Sequence, residues 1–199
     1  MLPLAYISDN WQKWLPALAV LCAVLWLIAF RNAPTSEQAM FAALLVIYML
    51  HQTEEHLWPG GFRQFANSHV FKSGRDDWPV DEGGVALINI GYVWLPLALA
   101  AIFPGPLRWL GLGWVGLTLI NALTHIVTTI RFRVYNPGLV TSIVLFLPFT
   151  IWVLAHEHAA GMLSGGEIAL ILLLGIVLLI LVAALFVIPY RRAREAKTA

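Results

Sequence analysis

Long apolar runs, each closed by a short polar or helix-breaking stretch, dominate this chain. Six of them approach the roughly 20 residues that a helix needs to cross a bilayer. They cover residues 14–30, 38–57, 85–103, 107–130, 139–154 and 168–188. Asn32-Ala33-Pro34 ends the first, and Thr35-x-x-Gln38 can cap the start of the second. Trp58-Pro59-Gly60-Gly61 stops the second, Pro104-Gly105-Pro106 divides the third from the fourth, and Asn136-Pro137-Gly138 opens the fifth. Ser164-Gly165-Gly166 precedes the sixth. The pattern predicts an all-α, polytopic transmembrane helical bundle: one integral membrane domain over residues 1–190 and a basic cytoplasmic tail over 191–199. In the connection 58–84, Phe62, Phe65, Ala66, His69 and Val70 recur at helical spacing. They predict a short helix in the interface plane, which can also serve as a lid.

Composition reinforces the membrane reading. The chain is 60% hydrophobic and 12% charged, where soluble domains carry about 25% charged residues, and its mean hydropathy is +0.78. The lipid bilayer is therefore the expected partner. A net charge of +1, with no basic patch interleaved with aromatics, argues against nucleic acid. The single cysteine, Cys22, excludes an intrachain disulfide framework. The first ten residues hold Asp9 and no Lys or Arg, so the first run is expected to be a retained span rather than a secretory leader. Six spans put ten of the twelve Lys and Arg residues on one side, leaving only Arg31 and Arg108 on the other. The positive-inside rule then places both termini in the cytoplasm, at an inner cell membrane. Trp11, Trp14, Trp58, Trp78, Trp109 and Trp152 fall near span ends and predict an interfacial belt.

The second run changes character at its end, where Tyr48-Met49-Leu50 gives way to His51-Gln52-Thr53-Glu54-Glu55-His56. On a helix, Glu54 lies about −60° from His51 and Glu55 about +40°, while His56 points away at about 140°. One face thus offers an imidazole and two carboxylates at or just under the membrane surface. Two adjacent carboxylates at that depth are costly unless a cation compensates them. Imidazole with carboxylates suits zinc, iron or manganese. The competing reading is a helix end at the headgroups, its acids solvated or paired with Arg63, Lys72 or Arg75. Topology brings Asn89, Asn121, His125 and Asn136 to the same leaflet, which supplies His125 as a second imidazole. The expected metal ligands are His51, Glu54, Glu55 and His125, with Glu54 also a candidate general base. Asn89, Asn121, Asn136 and Arg131 are expected to support them or contact substrate. His156-Glu157-His158 is expected to be a solvated loop on the opposite side.

His51-Gln52-Thr53-Glu54-Glu55, followed by Trp58-Pro59-Gly60-Gly61-Phe62, resembles the HXXEE-domain family of bacterial multi-pass membrane proteins. Asn121…His125 and Tyr135-Asn136-Pro137-Gly138 extend the resemblance, which runs from about Met40 to Pro148. It implies a membrane bundle with a site at the motif, and no reaction. The membrane CAAX-protease-like family also uses a Glu-Glu pair, but its pattern asks for Arg where this chain has Pro59.

The residues favour a metal-dependent membrane enzyme acting on a lipid-like or amphiphilic substrate at the cytoplasmic leaflet, by metal-activated water. Oxygen activation at a two-metal site would need further carboxylates, such as Asp81 and Glu82. It would also need Glu-x-x-His on two helices, whereas this chain has the reversed order once. The alternatives are a metal-ion or proton transporter, for which no internal repeat is visible, and a non-catalytic membrane protein with a buried polar network.

Overall fold

The computed structural model describes residue 6 and residues 10–198. Asp9 and Ala199 lie outside the described residues, as do the side chains of Arg194, Lys197 and Thr198. Every regular element among the described residues is helical. We number them α1 (Trp11–Phe30), α2 (Glu37–His56), α3 (62–71), α4 (Glu82–Ile102), α5 (Arg108–Phe132), α6 (Leu139–Ala159) and α7 (Gly165–Thr198).

Five helices are long and apolar enough to cross a membrane: α1, α4, α5, α6 and the Gly165–Ala193 part of α7. Their outward faces are apolar, as at Val20, Ile28, Ile130 and Ile180. Hydrocarbon, not water, suits such a surface. The remaining predicted span, α2, is 20 residues long, about 30 Å, but its polar last turns lower its hydropathy. It can keep them because it lies inside the bundle, in contact with α1, α4, α5 and α6. Half of its residues are buried.

Local chemistry sets the helix ends. Ser36, rather than Thr35, caps α2: its backbone is extended and its hydroxyl accepts from the Ala39 amide at 3.2 Å. Asp81 caps α4, accepting from the Gly84 amide at 2.7 Å, and Glu82 pairs with Arg63 at 3.3 Å. Neither belongs to the one group of three metal-capable side chains found among the described residues. Helices α5 and α7 pack through small residues, since a Cβ on Gly175 would strike the Gly116 backbone.

The predicted short helix is present as α3. Asn67, fully buried, stitches the connection together: its Nδ2 donates to the carbonyls of Asp76 and Val80, each at 2.9 Å, and its Oδ1 accepts from the Val80 amide at 2.9 Å. At the far end of the bundle, His156-Glu157-His158 is not a solvated loop but the last turns of α6. Glu157 is buried and accepts from Arg108 at 2.9 Å, and Arg108 also donates to Glu37. Arg108 is thus shared by two acids, and Glu157 meets it from within the helix. Of the tryptophans expected near span ends, Trp14, Trp58, Trp109 and Trp152 are exposed, Trp78 is half-buried against Tyr190, and Trp11 is buried edge-on against His56 and Trp94.

Candidate metal centre

The last two turns of α2 present His51, Glu54 and Glu55, and all three are buried. His125 arrives from α5, which touches α2, and is 2% exposed. His51 Nε2 lies 3.4 Å and His125 Nε2 3.3 Å from the same oxygen, Glu55 Oε1. Among the described residues, His51, Glu55 and His125 are the one group of three or more metal-capable side chains whose ligand atoms lie within 4.8 Å of one another. The turn between α5 and α6 makes this closeness feasible. Gly138 there has φ +101°, and a Cβ on it would come within 2.6 Å of His125 Cε1 and 2.7 Å of His51 Cε1. Only glycine fits that position.

Glu54 turns the other way. Its Oε1 accepts from the Tyr135 hydroxyl and the Val140 amide, the latter at 2.9 Å. Its Oε2 accepts from the Thr141 amide at 2.7 Å and the Thr141 hydroxyl at 2.5 Å. The carboxylate thus anchors the first turn of α6, where unpaired amides and the helix dipole favour an anion. All four of its acceptor positions are filled. That differs from the expected ligand and base, because 100° around the helix separates it from Glu55.

These bonds fix the protons around the centre. Thr141 gives its hydroxyl hydrogen to Glu54, so Thr141 Oγ1 accepts from His51 Nδ1 at 2.8 Å. The His51 proton is therefore on Nδ1, and the Nε2 lone pair faces Glu55. A second chain begins at Trp94, whose indole can only donate. Trp94 Nε1 donates to Gln52 Oε1 at 2.7 Å, and Gln52 Nε2 donates to Asn89 Oδ1 at 2.6 Å. Asn89 Nδ2 then donates to His56 Nε2 at 3.2 Å and to the Val85 carbonyl at 2.9 Å. His56 Nε2 thus spends its lone pair on Asn89, and it lies 3.5 Å from Glu55 Oε2. At His51 an acceptor therefore faces an acceptor, whereas His125 Nε2, 3.3 Å from Glu55 Oε1, is placed to donate to it. His51 Nε2 and His125 Nδ1 are moreover buried without any hydrogen-bond partner, and such orphans call for an explanation.

A cavity of about 960 Å³ opens beside the cluster, bounded by α3, α4, α5 and α7. His51, Glu55, His56 and His125 line it with Asn89, Asn121 and Asn136, and most of the remaining wall is apolar. Asn136 Nδ2 donates to Thr128 at 2.8 Å, leaving its Oδ1 unpaired. Arg131 is exposed on the outer face beside the Phe132 ring and takes no part in the cavity wall. Phe62 of α3 lies over the imidazoles, 5.9 Å from the His125 ring and 6.0 Å from that of His56, so α3 covers the site on that side. Sequence reasoning missed His56, Tyr135 and Thr141. His56 was detectable only as a third imidazole of the motif turn, and Tyr135 and Thr141 only as polar residues flanking Asn136-Pro137-Gly138. Three of the elements that border the site, α3, α4 and α6, contain a wide π-helical stretch, at Ala66–Phe71, Leu87–Trp94 and Ser142–Phe146. Such turns commonly mark functional sites.

The uncharacterised protein YrkK of Bacillus subtilis (strain 168) is 27% identical over 150 residues, covering 69% of this chain and 87% of that protein. No solved structure matches. The family model described as "Protein of unknown function with HXXEE motif" matches residues 42–153, more than half of the chain and the whole of the site-forming helices α2 to α6 apart from their outer ends. With His51, Glu54 and Glu55 as its signature, the chain belongs to the HXXEE family.

Proposed function

We propose that this protein is a metal-dependent membrane enzyme that hydrolyses a lipid-like or amphiphilic substrate at the cytoplasmic leaflet. One observation carries the metal: the ligand atoms of buried His51, Glu55 and His125 lie within 4.8 Å of one another, with the His51 Nε2 lone pair turned to Glu55. A tetrahedral ion with bonds of about 2.0–2.1 Å would hold its ligand atoms about 3.3–3.4 Å apart. His51 Nε2 and His125 Nε2 stand at 3.4 and 3.3 Å from Glu55 Oε1. Two neutral imidazoles and one carboxylate suit zinc, iron or manganese, and leave one ligand position for water.

Such an ion supplies Lewis acidity and a more acidic bound water. The chain's own residues do the rest. Glu55 offsets the charge of the ion, His51 and His125 set its position, and Glu54 through Thr141 holds His51 in the ligating tautomer. The cavity beside the cluster takes the amphiphile, its apolar wall receiving the hydrocarbon and Asn89, Asn121 and Asn136 the polar end. The bias of Lys and Arg supports a site at the cytoplasmic leaflet of an inner membrane, with both termini inside.

The test is metal content per chain after detergent purification, for the wild type and His51→Ala. One equivalent in the wild type and a loss of it in the variant supports the reading. Equal content in the two overturns it. Release of a fatty acid from long-chain esters presented in mixed micelles then tests the substrate class.

A further inference from the structure

The centre has a second side. A smaller cavity of about 130 Å³ lies against Glu55 and His56, and its polar wall is formed by Gln12, Glu55, His56, Arg63, Gln64 and Glu82. Glu55, His56, Phe62 and Val85 belong to both cavities. Glu55 thus acts as a partition, with Oε1 beside His51 and His125 and Oε2 beside His56. The small cavity reaches the surface where the partly exposed Arg63 and Glu82 pair at 3.3 Å. At about 30 Å³ per molecule it holds about four waters.

The two chambers suit different visitors. An amphiphile seated in the large cavity would bring hydrocarbon against Phe62 and Val85 and exclude water from that side. Hydrolysis still consumes one water per turnover, and the metal must arrive hydrated. In the small cavity Glu55 and Glu82 outnumber Arg63 as charged groups, which attracts cations and repels anions. We infer that the small cavity is the aqueous entrance to the metal centre, admitting water and hydrated divalent cations independently of the substrate. The inference rests on the metal reading above.

The test is the rate at which EDTA strips zinc from the full chain in lipid nanodiscs, with the large cavity empty and with oleate present. The expected rate is unchanged by oleate. Gln12→Trp, which fills the small cavity, should slow release at least tenfold while keeping one zinc per chain, and Val182→Trp in the large cavity should leave the rate unaltered. Gln64→Trp blocks the same entrance from its exposed side and serves if Gln12→Trp misfolds. Arg63→Ala with Glu82→Ala should speed release. Slowing by oleate or Val182→Trp, or wild-type rates in both tryptophan-plugged variants, overturns the entrance. A wild type that holds no zinc fails on the metal reading itself, a result the equilibrium content shows before any rate is measured.

Discussion

Glu54 and Glu55 are consecutive, yet about 100° of helix rotation sends one carboxylate to the start of α6 and the other to α5. Their substitutions should separate accordingly. Glu55→Gln should abolish metal binding, because the shared oxygen loses its charge. Glu54→Gln should weaken metal binding by about 10–100-fold, the usual cost of losing an outer partner of a ligand, and added metal should restore activity. Isothermal titration with zinc, read beside turnover at saturating metal, decides this. A Glu54→Gln variant that binds zinc normally but is inactive would make Glu54 a base after all. The spacing of His51 and Glu55 made them legible from the motif alone. The partners of Glu54 were not, because Tyr135 and Thr141 stand more than 80 residues away and only the fold of the α5–α6 turn brings them in.

At the scale of elements, α3 was legible from the helical spacing of its apolar residues, while hydropathy located the five long apolar helices α1, α4, α5, α6 and α7. It did not reveal the π-helical stretches, which change the register of side chains without any compositional signal. Asn89 shows the effect: it lies inside one such stretch and reaches both Gln52 and His56. Two elements offer tests. Gly138→Ala combines a left-handed backbone with a collision against both imidazoles, and should lower stability by more than about 1 kcal/mol and lose metal; a thermal melt with zinc analysis reads both. Asn67→Ala removes three bonds within the connection over the site. It should cost about 1–3 kcal/mol through the buried groups left unpaired and expose residues 72–80 to limited proteolysis, with metal content preserved.

For the whole molecule, the arrangement of cations is the informative quantity. Reporter fusions should place 63–75, 131–133 and the C-terminus in the cytoplasm, and 160–164 outside; a periplasmic C-terminus would reverse the proposed orientation. The Glu37, Arg108 and Glu157 cluster lies at the opposite end of α2 from the metal centre. Arg108→Met should therefore lower thermal stability, by leaving the buried Glu157 uncompensated, without changing the zinc stoichiometry. The sequence pattern misjudged this cluster, because a buried Glu in a polar triplet looks like any loop acid until its arginine is placed beside it.

The chain from Trp94 through Gln52 and Asn89 to His56 has one more consequence. Proton conduction along hydrogen bonds requires each link to receive a proton on one side, release one on the other and then reverse. The indole has no lone pair with which to receive, and each amide would have to turn over against its own neighbours. The chain behaves as an insulator. A membrane under an electrochemical gradient can hold a polar centre of this kind within a helical bundle without short-circuiting it along α4.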